Sequence, residues 1–438
     1  MKICSIYLFF LTALLVYHEG ATANSPDSLK SSYTTVAETI LTNTPSDHTG
    51  QEGIDQKKPG IKFIGFINSS YWYDSRQVVG AREELLTLYP ANRKPDAQGN
   101  DINASPNFNF SAIKSRLTGV ITGPKAFGAE TSGTLEADFT GVTNNDINGF
   151  RLRHAYGVLR WKTGELMFGQ SWHPMFVTDV FPQVISLNTG APFQPFIRNP
   201  LISYTHFLNR FSINFTLLSQ RDNASDGPLG QIPTYLRNSL MPNAHFQIRY
   251  KTSNHLIGAA IDYKTLKPRL ITDSALLTNE TLGSFALMAY HKYASGRLTI
   301  RSKAILGQNL TEHLMLGGYA VRNVDVTTGH ETYTPTNHLF FWTFISYGNK
   351  VQTNLFGGFA KNFGTSHLNT GKFFGRGSDI AYLYRVAPSV TFISNPIQIS
   401  TELEYTVAAY GTPDSNGIVR NSEEIGNLRL LLSFFYFF

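Results

Sequence analysis

The sequence predicts an all-β fold, a transmembrane antiparallel β-barrel of about 16 strands, and three observations lead there. The chain closes on an amphipathic, aromatic-capped strand, Asn427 to Phe438. Its interior connections alternate between tight turns and long loops. Its composition pairs many aromatics (32 Phe, 21 Tyr, 4 Trp) with few charges, at 16%. A soluble domain would carry about 25% charged residues.

The N-terminal region is expected to lie outside the barrel. Residues 1–23 read as a signal peptide: Lys2 gives a positive start, Ile6 to Tyr17 an apolar stretch, and Ala21-Thr22-Ala23 a small-residue cleavage site. That apolar stretch is shorter than the roughly 20 residues of a spanning helix. Residues 24–60 are polar and read as a periplasmic spacer. Leu29, Tyr33, Val36 and Ile40 follow a 4-3-4 spacing there, a short helical heptad fragment in a segment that otherwise reads as a flexible linker. The barrel is assigned to 61–438. Cys4 is the only cysteine, so the mature chain has no disulfide, no zinc–cysteine site and no cysteine nucleophile. No second long apolar run exists, which argues against a helical membrane protein.

From Ile61 onward, sixteen segments alternate with period 2. They begin near Ile61, Asn107, Glu130, Phe150, Glu165, Asn199, Arg210, Asn243, His255, Leu282, Gly296, Asn337, Lys350, Asp379, Ile397 and Asn427. Tilted membrane strands need about 9 to 11 residues. Tight turns are expected at Lys162–Gly164, Leu208–Asn209, Thr252–Asn254, Ala294–Ser295, Gly348–Asn349 and Ser394–Pro396. The long loops between them are 74–106, 172–198, 221–242, 264–280, 305–336, 361–378 and 409–426. Short turns on one rim and long loops on the other are the layout of an outer-membrane barrel.

Alternation also assigns faces. Ile113, Leu117 and Ile121 oppose Lys114, Arg116 and Thr118; Leu135, Ala137 and Phe139 oppose Glu136 and Asp138. Phe246, Ile248 and Tyr250 oppose Gln247 and Arg249. Leu298 and Ile300 oppose Arg297 and Arg301. Ile399, Leu403, Tyr405 and Val407 oppose Glu402 and Glu404. Leu428, Leu430, Leu432 and Phe434 oppose Arg429. A lysine or arginine facing lipid costs about 2–4 kcal/mol near the midplane, so the charged set must face the lumen. Tyr71, Trp72, Trp161, Tyr290, Tyr293, Tyr347, Tyr382 and Tyr410 lie near strand ends, where interfacial aromatic girdles belong.

The expected lumen set is Lys114, Arg116, Arg151, Arg153, Arg249, Arg297, Arg301, Arg385 and Arg429 against Glu136, Asp138, Glu402 and Glu404. Such a cationic excess favours anions; pairing with the acids would leave an unselective hole. The formal charge of +6 fits an anion-attracting pore better than a nucleic-acid surface in a secreted barrel. The third long loop, 172–198, is too apolar for an exposed loop: Trp172, Phe176, Phe181, Phe193 and Phe196 stand in it with His173, Asp179 and Arg198. It is expected to fold inward and narrow the pore, the alternatives being a cover over the mouth or a subunit contact. Asn144-x-Asp146-x-Asn148-Gly149 resembles the start of a calcium loop, but Ala155 stands where the acidic twelfth ligand belongs. No His-x-Ser pair and no phosphate-binding glycine loop occur, so no enzyme, metal or cofactor is expected.

The stretches Ser115–Gly119, Glu136–Phe139, Arg151-Leu-Arg-His-Ala-Tyr156 and Phe168-Gly-Gln-Ser-Trp172 resemble the DcaP-like porins, best over residues 107 to 175. The resemblance implies a trimeric, sixteen-stranded porin of the bacterial outer membrane passing small anions, dicarboxylates among them, with pore-lining roles for Arg116, Arg151 and Arg153. The reading is then a passive channel for small anionic solutes, seated in outer-membrane lipid and lipopolysaccharide, with no nucleic-acid partner. The alternatives are an unselective general porin and a plugged barrel with a structural or adhesive role.

Overall fold

The computed structural model describes residues 59–438, so the expected signal peptide and residues 24–58 of the spacer lie outside the described residues. The strands run β1 (Gly60–Asp74), β2 (Val78–Ala81), β3 (Leu86–Pro90), β4 (Asn107–Ser111), β5 (Arg116–Thr122), β6 (Glu130–Asp138), β7 (Arg151–Arg160), β8 (Gly164–Trp172), β9 (Arg198–Leu208), β10 (Phe211–Leu218), β11 (Asn243–Lys251), β12 (His255–Leu266), β13 (Leu282–Ser295), β14 (Leu298–Gln308), β15 (Gly317–Val324), β16 (Glu331–Gly348), β17 (Val351–Thr365), β18 (Phe373–Arg376), β19 (Ile380–Ser394), β20 (Ile397–Pro413) and β21 (Val419–Phe437). β4 and β5 are two halves of one wall strand. β2–β3 is a loop hairpin, and β15 and β18 pair with each other in loops. Sixteen antiparallel wall strands remain.

The last strand closes on the first. β21 pairs with β1 from Phe66↔Phe437 to Asp74↔Arg429, and Gly65 and Phe438 exchange backbone hydrogen bonds of 2.9 and 3.1 Å. On its other side β1 pairs with β5, from Gly60↔Thr122 to Phe66↔Arg116. Closure leaves no wall edge unpaired, which is what a strand must achieve where no water can satisfy its backbone.

Every expected strand is present, with three shifts. β21 begins at Val419 rather than Asn427, β20 runs on to Pro413, and β16 begins at Glu331 rather than Asn337. The expected loop 409–426 thus shrinks to 414–418. Ser422, Glu423 and Glu424 carry no apolar face, so alternation cannot mark them; the ladder nevertheless continues there, through Tyr410↔Glu423. The second wall strand breaks at 112–115, where Ser115 N–H donates to Ala112 C=O. The break resets the alternation, so Ile113, expected to face lipid, is buried beside Lys114.

The outer surface is apolar. Leu135, Ile202, Phe215, Ile248, Ile261, Phe285, Leu287, Phe341, Leu355, Val386, Leu430 and Phe434 are all exposed there. Three expected girdle aromatics instead point inward: Trp72, Tyr290 and Tyr410 are buried. Their hydroxyls explain two of them, because Tyr290 Oη accepts from Gln247 at 2.7 Å and Tyr410 Oη donates to Pro90 C=O at 2.7 Å.

A hydrophobic core lies inside the barrel. Met288, Ile305, Phe340, Trp342, Phe344, Phe356 and Leu383 form the inner face of β13, β14, β16, β17 and β19. The run His338–Tyr347 is apolar on both faces, as befits a strand with lipid outside and packed protein inside. Residues from three loops complete that core.

Candidate functional site

Two of these three loops are tied to the inner wall by side-chain hydrogen bonds. L3 (173–197) starts where Trp172 pairs with Arg198, and His173 N–H donates to Ile197 C=O. His173 caps a single 3-10 turn, Pro174–Phe176, accepting from Met175 N–H through Nδ1. Trp172 and Phe176 stack with ring centroids 3.9 Å apart, and Phe176 stacks on Phe181. Phe193 packs on Phe356 and Phe196 on Trp172.

Wall side chains hold this loop by its backbone. Lys303 Nζ donates to the carbonyls of Met175 and Phe176 at 2.8 and 2.7 Å. Glu402 accepts from Ile185 N–H and Ser186 N–H at 2.8 and 3.2 Å. Lys114 Nζ donates to Ile185 C=O at 2.9 Å, and Arg385 Nη1 to Ala191 C=O at 2.9 Å. Asp179 pairs with Arg249.

The second loop, L1 (75–106), was not expected inside. Its segment Leu85–Tyr89 is buried. Arg385 Nη2 donates to Leu88 C=O, Arg429 Nη2 to Glu84 C=O, and Asn188 Nδ2 to Thr87 C=O, at 2.7, 2.7 and 3.0 Å. The signal was a five-residue apolar patch flanked by Glu83-Glu84 and Pro90, too short to separate from an ordinary loop.

L3 packs on the apolar inner face of β13, β14, β16, β17 and β19, and a cavity opens between it and the strands that carry the cations. Lys114, Arg116 and Arg153 line this cavity of about 80 Å³ with Trp172, Phe176, Phe181 and Ile185 and the polar Gln183, Ser186 and Thr189 of L3, and with Phe435 and Phe437 toward the short-turn rim. The cations sit against aromatic faces: Arg116 over Phe66 at 5.1 Å, Lys114 over Phe435 at 5.2 Å, Arg198 over Trp172 at 4.6 Å.

Most lumen cations are paired. Arg153 meets Glu136 and Asp138, each at 2.7 Å; Arg116 meets Glu136 at 3.5 Å; Arg151 meets Asp138 at 3.2 Å and Asp222 at 3.4 Å. Arg198 meets Asp222 at 2.5 Å, Arg385 meets Glu404 at 3.3 Å, and Arg429 meets Asp74 at 2.6 Å. Lys264 pairs with Glu312. Arg301 is buried on the inner face of β14. Arg297 is corrected: β13 ends at Ser295 and β14 begins at Leu298, so it lies exposed in the turn and off the strand. Alternation alone cannot tell a turn residue from the first residue of a strand.

Sequence reasoning missed Asp74, Asp222, Asp262, Glu312, Lys264 and Lys303, all buried on the inside except Asp222, which is partly buried. The acids weaken the expected cationic excess. Asp222 lies in the loop after β10; its burial alone would raise its carboxyl, but Arg198 and Arg151 outweigh that and hold it below the usual carboxylate range. The calcium-like stretch folds as a tight turn in which Asp146 Oδ2 accepts from Val142 N–H at 3.3 Å.

No known family model matches the chain, and no curated protein matches its sequence. Solved structures do match in fold. The outer membrane channel DcaP of Acinetobacter baumannii aligns with TM-score 0.64 at 15% identity, covering 88% of this chain and 99% of that one. A trimer form of OmpT from Vibrio cholerae aligns with TM-score 0.53 at 9% identity, covering 87% and 100%. OmpF of Salmonella typhi, in complex with daunomycin, aligns with TM-score 0.50 at 10% identity, covering 86% and 97%. The likeness to DcaP agrees with the resemblance carried by Arg151–Tyr156 and Phe168–Trp172. At these identities it is one of fold, and the chain has the fold of a bacterial outer-membrane β-barrel of the porin type.

Proposed function

We propose that this chain is a passive outer-membrane porin for small anionic solutes, working as a homotrimer. The carrying observation is the cavity against L3, lined by Lys114, Arg116 and Arg153 of the wall and by a mostly apolar stretch of L3 that also brings Gln183, Ser186 and Thr189. A carboxylate or phosphate entering it would meet Lys114, Arg116 and Arg153, with no acid among the residues that line the cavity. Glu136 and Asp138 lie behind Arg116 and Arg153 and fix their orientation. Pairing on that scale makes the selectivity modest, and dicarboxylates are the first solutes to try. The fold likeness to DcaP, itself described as a channel, supports transport over catalysis.

Single-channel conductance in a planar bilayer, with the reversal potential read across a salt gradient, tests this. Open steps with an anion-selective reversal potential that shifts toward zero in Lys114→Gln support the reading. Cation selectivity would sink the anion preference and leave a general porin.

A second reading has its own observation. L1, L3 and the segment Leu310–Leu316 merge into one hydrophobic core with the inner wall. That packing favours a barrel closed at rest, which predicts folded protein without conductance until the loops are released.

A further inference from the structure

We infer that His173, His245 and Asp262 form a binding site for a divalent transition-metal ion of the zinc class, which clips L3 to the barrel wall. His245 and Asp262 are cross-strand neighbours on β11 and β12, and His173 is the first residue of L3. All three are buried. His245 Nδ1 lies 3.1 Å from Asp262 Oδ2, and His173 Nε2 lies 3.5 Å from the same oxygen. The three donor atoms all fall within 4.8 Å of one another. Zinc bonds of about 2.0–2.2 Å at tetrahedral angles separate neighbouring ligand atoms by roughly 3.4 Å. Two of the three edges therefore already have the required length.

Surrounding groups fit a metal centre. Asn243 Nδ2 donates to Asp262 Oδ1 at 2.9 Å, turning Oδ2 toward the histidines, as outer groups orient metal ligands. An independent observation comes from His313. It is fully buried, its ring centroid is 4.7 Å from that of His173, and neither ring nitrogen makes a hydrogen bond among the described residues, Nε2 standing 3.6 Å from Glu312 Oε1. His245 Nε2 is likewise without one. Buried imidazole nitrogens are rarely left unsatisfied, and His313 is placed to become a fourth ligand after a side-chain rotation. Lys264, the nearby cation, is taken up by Glu312 and Asn309 C=O. Binding through His173 Nε2 requires the proton to move to Nδ1, which gives up both the 3.2 Å contact from Met175 N–H and the 3.2 Å hydrogen bond between Nε2 and Asn243 Oδ1. Imidazole and carboxylate donors together select Zn²⁺, Co²⁺, Ni²⁺ or Cu²⁺ over Ca²⁺ and Mg²⁺.

A second histidine pair must be removed first. His255 Nδ1 and His291 Nε2 lie 3.1 Å apart in an exposed position on β12 and β13 and could take an ion of their own. The experiment uses the full chain, folded in detergent, carrying His255→Ala and His291→Ala. Zn²⁺ is titrated calorimetrically, and Co²⁺ is followed by visible absorption. One ion per chain is expected, with a Co²⁺ d–d band, and at least a hundredfold loss of Zn²⁺ affinity in His245→Ala that still shows folded-barrel mobility. His173→Ala, which changes no wall strand, is expected to lose affinity likewise if His245→Ala does not fold. The inference is overturned by no saturable binding in the doubly substituted background, or by unchanged affinity in a folded His245→Ala or His173→Ala chain.

Discussion

Trp342 and Gln194 join the wall to the loop that fills it: the buried indole donates Nε1–H to Gln194 Oε1 at 3.0 Å, and the same amide donates from Nε2 to Phe176 C=O at 2.8 Å. One polar side chain of L3 thus ties the inner face of β16 to the 3-10 turn at the start of the loop. Trp342→Ala would open a void in the lumen core, a change that costs about 3–5 kcal/mol for a large aromatic. It would also strand the Gln194 acceptor. The expected outcome is an intact barrel with a larger, noisier single-channel conductance; a conductance trace matching the parent protein would refute this seat for L3.

Lys303 gives a second handle on the same loop. Its ammonium group is buried and bonds two L3 carbonyls. Lys303→Met keeps most of the side chain's length but removes the ammonium group, leaving two buried acceptors at a cost of about 1–3 kcal/mol each. L3 is then expected to be cleaved faster between 177 and 190 under limited proteolysis, while the barrel resists. Equal cleavage rates would mean that these bonds do not restrain the loop.

The strands and their faces were legible because period 2 is written residue by residue: Arg429 is buried while Leu428 and Leu430 face out, as alternation requires. The expectation that L3 folds inward came from its aromatics, and Trp172, Phe176, Phe181, Phe193 and Phe196 are buried. Glu136, Asp138, Glu402 and Glu404 were legible by the same alternation, but the other acids that balance the lumen were not. Asp222 and Glu312 lie in loops, where no period assigns a face, and Asp74 is the last residue of its strand. Their side chains are placed by tertiary contacts, Asp222 by Arg198 and Glu312 by Lys264. One signal was present and unread. The two-sided apolar run Leu339-Phe340-Phe341-Trp342 on β16 marks an inner wall that must be covered, and L3 covers it.

The Asp222–Arg198 pair carries a pH signature. Asp222 is held below the usual carboxylate range in the folded chain, so its stabilising contribution is fully present above the unfolded value of about 4. It is lost as pH falls through the lower folded value. Urea stability of the parent chain should therefore fall more steeply below pH 4 than that of Asp222→Asn, which cannot titrate there. At pH 7 the variant should be the weaker of the two. Parallel curves at acid pH would show that this carboxylate does not report on folding.

The seam of the barrel offers a test that separates charge pairing from packing. Asp74 and Arg429 are register partners across β1 and β21, both fully buried, bonded at 2.9 and 2.6 Å, with Asn427 Nδ2 also donating to Asp74 Oδ1 at 2.7 Å. Removing one partner of a buried pair strands the other charge and costs about 3–5 kcal/mol, whereas replacing both by apolar groups is often neutral. Arg429→Met alone, and Asp74→Leu alone, should each lower the urea midpoint of the heat-modifiable folded band. The double variant should recover most of the loss. If instead the two losses simply add, the pair contributes through separate partners, Asn427 for Asp74 and the Glu84 carbonyl for Arg429. Closure would then rest on the backbone ladder from Phe66 to Asp74 rather than on this ion pair.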